Sequence, residues 1–142
     1  MADAPYTTIH IEDIPEPEFD KQPDDPDWRP LRMHFGIRSF GANAYIVREP
    51  GRIVEDHTET EDSGTRHEEL FFVARGHATF TVGGEEIDAP EGTFVYVRDP
   101  EVTRGALARE PGTTVLAFGG TPGEAFTVSE WERKYEPASP AR

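Results

Sequence analysis

The chain has 142 residues, with 14 basic against 28 acidic side chains, a formal net charge of −14 and no cysteine. That length makes one domain around one core. The acidic surface repels phosphate backbones and anionic headgroups, so neither nucleic acid nor a membrane is expected as a partner. Without cysteine there are no disulfides, thiol nucleophiles or thiolate zinc sites. No stretch approaches the roughly 18 apolar residues of a membrane span. The start, MADAPYTTIH, lacks the basic and apolar runs of a secretory signal, so a cytoplasmic protein is expected.

Residues 1–30 carry nine acids against Lys21 and Arg29, with six prolines and no glycine. Repelling charge and few large apolar groups predict an extended arm, either a solvated leader or a segment adding a strand at 6–11 to a sheet edge. From Leu31 the character changes. The runs RSFGANAYIV, RIVED, ELFFVA, HATFTV, TFVYV and TTVLAFGG alternate with glycine and proline, and Pro90, Pro100, Pro111 and Pro122 recur every ten or eleven residues. Strand plus turn fills that spacing and leaves no room for crossover helices, so a barrel or sandwich is expected over 31–136. Gly83-Gly84 reads as a two-residue hairpin loop needing positive φ. In 77–82, Ala78, Phe80 and Val82 share one face and His77, Thr79 and Thr81 the other. The two-faced apolar runs at 70–73 and 114–118 read as strands covered on both sides. The one helix is expected near the end, where Ser129 and Glu132 have the spacing of a capping box ahead of WERKY. Residues 137–142 read as a frayed tail.

Gly51, five residues, His57, one residue, Glu59, and then Glu69, six residues and Gly76 form a pattern similar to the first signature of the cupins. The second signature is present as a skeleton: Gly92 precedes TFVYV, and Arg98, Pro100, Thr103 and Leu107 stand where the family has Pro, Gly, His and Asn. The resemblance spans roughly residues 31–126. It implies an all-β fold, a double-stranded β-helix or jelly-roll barrel with one short C-terminal helix, and a homodimer.

The family's metal sites draw on three histidines and one glutamate. This chain keeps His57 and Glu69, while Glu59 and Thr103 replace the other two histidines. The loop from Glu59 to Glu69 holds nine residues and brings a new histidine, His67. If His57, Glu59, His67 and Glu69 all point inward, two imidazoles and two carboxylates converge, a set suited to iron, manganese, zinc or nickel. Without a metal the buried carboxylates need another partner, and Arg104, next to the lost histidine, can supply it. Phe71 shares the face of Glu69 and lines the same pocket.

Two functions follow. One is a small-molecule-binding barrel, with or without a metal, whose pocket comprises His57, Glu59, His67, Glu69, Phe71, Thr103 and Arg104, Arg104 reading an anionic ligand. The other is a metal-dependent enzyme of oxygenase or isomerase type, its divalent metal held by the His/Glu set. No residue is assigned a catalytic role. Fold alone does not choose between them.

Overall fold

The structure, a computed structural model, describes residues 4–60 and 64–136. Among these residues, nine strands make two antiparallel sheets: β1 (Asp27–Arg29), β2 (Gly41–Ile46), β3 (Gly51–His57), β4 (Glu68–Arg75), β5 (His77–Val82), β6 (Glu85–Pro90), β7 (Phe94–Val97), β8 (Arg104–Ala108) and β9 (Thr114–Gly120). One sheet runs β1-β2-β9-β4-β7, the other β3-β8-β5-β6. Each sheet combines one local pair, β1-β2 or β5-β6, with strands brought together from distant parts of the chain, as expected of a double-stranded β-helix.

The turn chemistry follows the sequence. Gly83 and Gly84 join β5 to β6 at φ of 58° and 84°, the mirror-image turn that matches strand twist. Gly76 links β4 to β5 at φ of 78°, and a Cβ there would lie 2.4 Å from Thr113 Oγ1 and 2.8 Å from Thr113 Cα. Only glycine satisfies both the left-handed backbone and that approach.

Strand alternation places Phe71 and Val73 from β4, and Ala78 and Phe80 from β5, in the core, each at most 1% exposed. Phe71 and Phe80 meet across the sheets with ring centroids 5.2 Å apart. The runs at 70–73 and 114–118 are less enclosed than expected. Outward-facing Leu70, Phe72, Leu116 and Phe118 stay partly exposed, and Phe72 stacks on Phe94 at 4.4 Å.

Two local expectations are corrected, both on helices. Of the two readings of the arm, residues 6–11 add no strand to a sheet of their own chain. The arm's secondary structure is a 3-10 turn at Ile11–Asp13 and β1, which pairs with β2 as Trp28↔Tyr45. A second short helix, α1 (Leu31–Phe35), follows Pro30 and ends at Gly36 in the left-handed conformation. The C-terminal helix, α2 (Glu130–Arg133), starts after Ser129 as expected, but Ser129 makes no side-chain cap. Glu132 is drawn away to Arg32 and Asn43, stronger partners than a backbone N–H because Arg32 carries full charge. The tail at 137–142 lies outside the described residues.

Candidate functional site

Two bulges in β3 set the site. Val54 pairs with Ala106 and His57 with Arg104, so three steps along β3 oppose two along β8, and a second shift lies between Arg52 and Val54. An extra residue in one strand reverses which side chains face inward beyond it. In regular alternation from buried Val54, His57 would point outward; the bulge turns it to the face of Arg104. Gly105 makes this possible, because a Cβ there would meet Asp56 Oδ1 at 1.9 Å.

Glu59 follows β3, its N–H donating to the Pro100 carbonyl at 2.8 Å. Glu69 comes from β4, opposite Val97 and Gly119. The three side chains converge. His57 Nε2 lies 2.8 Å from Glu59 Oε2 and 3.5 Å from Glu69 Oε1, and one potential ligand atom from each residue falls within 4.8 Å of the others. By spacing and residue type the group could hold a metal ion.

Arg104 changes what the group does. It is 0% exposed. Its Nη1 donates to Glu69 Oε1, Nε to the Val102 carbonyl and Nη2 to the Asp99 carbonyl, each at 2.9 Å. His57 Nδ1 faces the Glu55 carbonyl at 2.7 Å. A carbonyl only accepts and a carboxylate accepts, so both ring nitrogens of His57 are placed to donate, which requires the imidazolium. Burial opposes that charge, yet the hydrogen bonds to Glu59 and Glu69 outweigh it and raise the His57 pKa to about 10. Two cations thus face two carboxylates in a balanced network. A dication here would have to displace a proton from His57 and stand against the guanidinium held on Glu69.

The other expected residues are placed differently. His67, 4% exposed, stands apart from the three. Its Nε2 donates to the Thr127 carbonyl at 2.8 Å, its Nδ1 accepts from Thr121 Oγ1 at 2.9 Å, and its ring stacks on Phe126 at 5.2 Å. With both nitrogens engaged it offers no lone pair to a metal, and it instead pins the segment leading to α2. Thr103 is exposed and precedes β8; the residue that β8 sends inward is Arg104, one position on. Arg104 itself is sealed behind Glu69 and cannot read a ligand. Phe71 is in the cavity wall.

That cavity has a volume of about 530 Å³. His57, Glu59 and Glu69 are in its wall with Tyr45 and Asn43 from β2. The arm contributes Phe19 and Trp28, and the C-terminal segment Phe126, Trp131 and Tyr135. Trp28 is the centre of an aromatic cluster, 5.4 Å from Trp131, 5.3 Å from Tyr135 and 6.2 Å from Phe19. A buried polar chain fixes the cap: Trp28 Nε1 donates to Asn43 Oδ1 (2.8 Å), Asn43 Nδ2 to Glu132 Oε1 (3.2 Å), and Arg32 Nε to Glu132 Oε2 (2.7 Å). None of these capping residues carried a sequence signal for the site. The acid- and proline-rich arm hid Phe19 and Trp28, and only the sheet register brings Asn43 to Glu132.

No family model matches the sequence, and no curated relative matches it. Solved structures do match in shape. A conserved protein with a double-stranded β-helix domain from Klebsiella pneumoniae superposes with a TM-score of 0.61 at 11% identity, over 88% of this chain and 98% of that one. A cupin protein from Bacteroides fragilis gives 0.57 at 16% identity, over 80% and 92%. The fold is that of the cupins. A sugar phosphate isomerase from a cupin superfamily, from Silicibacter pomeroyi, gives 0.52 at 14% identity over 68% and 60%. At these identities the likeness concerns the fold alone. Within that cupin barrel, this chain places a guanidinium against the glutamate that the first signature supplies.

Proposed function

We propose that this chain is a small-molecule-binding cupin that works without a resident metal, its ligand held in the capped cavity above His57, Glu59 and Glu69. The observation that carries this reading is Arg104 on Glu69 at 2.9 Å: it supplies the positive charge that a metal would otherwise bring to the carboxylates. Around 530 Å³ of aromatic-walled space with a few convergent polar groups is the usual form of a ligand pocket. The site contains groups able to move a proton, but no nucleophile is set against a base, so binding is the better supported reading.

The metal-enzyme alternative keeps one support, the 4.8 Å grouping of His57, Glu59 and Glu69. It would need Arg104 to leave Glu69. The reading also includes a cytoplasmic, homodimeric protein. The absence of cysteine fits a reducing compartment. The outer face carrying Phe94 and Tyr96, 63% and 48% exposed, is the surface we assign to the dimer, since large apolar patches rarely stay open to water.

The test is a nuclear magnetic resonance screen of small ring compounds against the labelled protein. Perturbations should cluster on Tyr45, His57 and the Trp28 and Trp131 indoles. Compounds that bind only at the outer face around Phe94 would refute the cavity as the binding site.

A further inference from the structure

We infer, resting on the binding reading above, that the cavity selects a ring-bearing ligand with hydroxyl or amine donors and no anionic group. Each cation in or behind the wall is already engaged. Arg104 is fully buried, and each of its three guanidinium nitrogens donates a hydrogen bond, to Glu69, Val102 and Asp99. Arg32, 6% exposed, is bound to Glu132, to Glu136 and to the Ile37 carbonyl. His57 is held between Glu55, Glu59 and Glu69. Arg52, at the rim, bonds Asp25 at 2.7 Å and lies 3.5 Å from Glu55. No lysine lines the cavity. A carboxylate or phosphate entering it therefore meets no uncommitted cation among the described residues, and it approaches Glu59, Glu69 and Glu132. Removing an anion from water without a new partner is strongly unfavourable.

What the wall does offer is complementary to donors. Carboxylates accept hydrogen bonds, and a charged acceptor makes the stronger bond. The hydroxyls of Tyr45 and Ser129 are in the wall and have no hydrogen-bond partner among the described residues. Burial, then the charges of Glu69, Glu132 and Glu59, hold the Tyr45 phenol far above its ordinary pKa, so it stays protonated. The apolar part of the wall is aromatic, through Phe19, Trp28, Phe126, Trp131 and Tyr135. Such rings favour a flat or ring-shaped body, by stacking and by burial of its apolar surface. A phosphorylated sugar, the ligand class suggested by the name of the Silicibacter neighbour, is excluded by the same reasoning.

The experiment is calorimetry on the full chain with five matched probes: benzyl alcohol, benzylammonium, toluene, benzoate and phenyl phosphate. The expected result is that benzyl alcohol and benzylammonium bind at least about tenfold more tightly than benzoate or phenyl phosphate. Tyr45→Phe should weaken benzyl alcohol several-fold and leave toluene unchanged. Equal or tighter binding of either anion overturns the inference while leaving the cavity a binding site. If no probe binds, the cavity reading fails and the inference with it. The wild-type comparison decides the matter alone should Tyr45→Phe not fold.

Discussion

Arg104 Nη1 donates to Glu69 Oε1 at 2.9 Å, with Arg104 fully buried and Glu69 largely so. This one contact determines the character of the site. It pins the glutamate of the first signature, adds a positive charge beside His57, and closes the network on itself. Removing one partner of a buried pair leaves an uncompensated charge and typically costs about 3–5 kcal/mol. Arg104→Ala should lose stability on that scale in urea unfolding, with the slope unchanged. A loss below about 1 kcal/mol would show that the pair is solvated in solution.

His57 gives a pH signature. Its folded pKa of about 10 lies above the ordinary 6.5, so the folded state holds the proton more tightly than the unfolded chain. The stabilisation is therefore complete below pH 6.5 and is lost as pH rises through about 10. Wild type should lose more stability than His57→Gln between pH 7 and 10. Parallel curves for the two proteins would contradict the imidazolium assignment.

Gly76 combines a φ of 78° with a Cβ position 2.8 Å from the Thr113 backbone. The left-handed conformation alone costs a side chain about 1–2 kcal/mol, and the overlap adds to it. Gly76→Ala should destabilise by more than that range, measured by thermal unfolding. Gly112→Ala, at a φ of 80° with open space around the Cβ, should show the conformational cost alone. Equal losses would mean that Thr113 moves aside freely.

The fold was legible because turns and strand lengths are local. Gly76, Gly83-Gly84 and the proline spacing each require a chain reversal at a definite place, and alternation then selected Phe71, Ala78 and Phe80 for the core. The meeting of His57, Glu59 and Glu69 was legible from the signature. Arg104 was legible as the partner that buried carboxylates need without a metal, and it bonds Glu69. Thr103, the residue at the lost histidine position, was placed in the same pocket, but it is exposed and β8 begins one residue later, with Arg104 turned inward. His67 carried the right chemistry for a ligand, and only its distant partners Thr121 and Thr127 show that it is an anchor. The cap was invisible for a different reason. Phe19, Trp28, Trp131 and Tyr135 come from opposite ends of the chain, and no periodicity links them.

The cap yields a prediction of its own. Both tryptophans of the chain, Trp28 and Trp131, belong to it, 5.4 Å apart. Glu132→Ala strands Arg32 and Asn43 in a buried setting, which costs more than the lost bonds themselves. The variant should show red-shifted tryptophan emission and easier acrylamide quenching. Unchanged emission and quenching would show that the aromatic cluster holds α2 without its carboxylate.

In the proposed function Arg104 and His57 take the place of a metal. Chelator-treated wild type is titrated with iron(II), manganese(II), zinc(II) and nickel(II), then passed through gel filtration and elemental analysis. The expected result is no stoichiometric metal retained by the wild type. One metal per chain, lost in both His57→Ala and Glu69→Gln, would contradict it and show that Arg104 yields Glu69 to the ion.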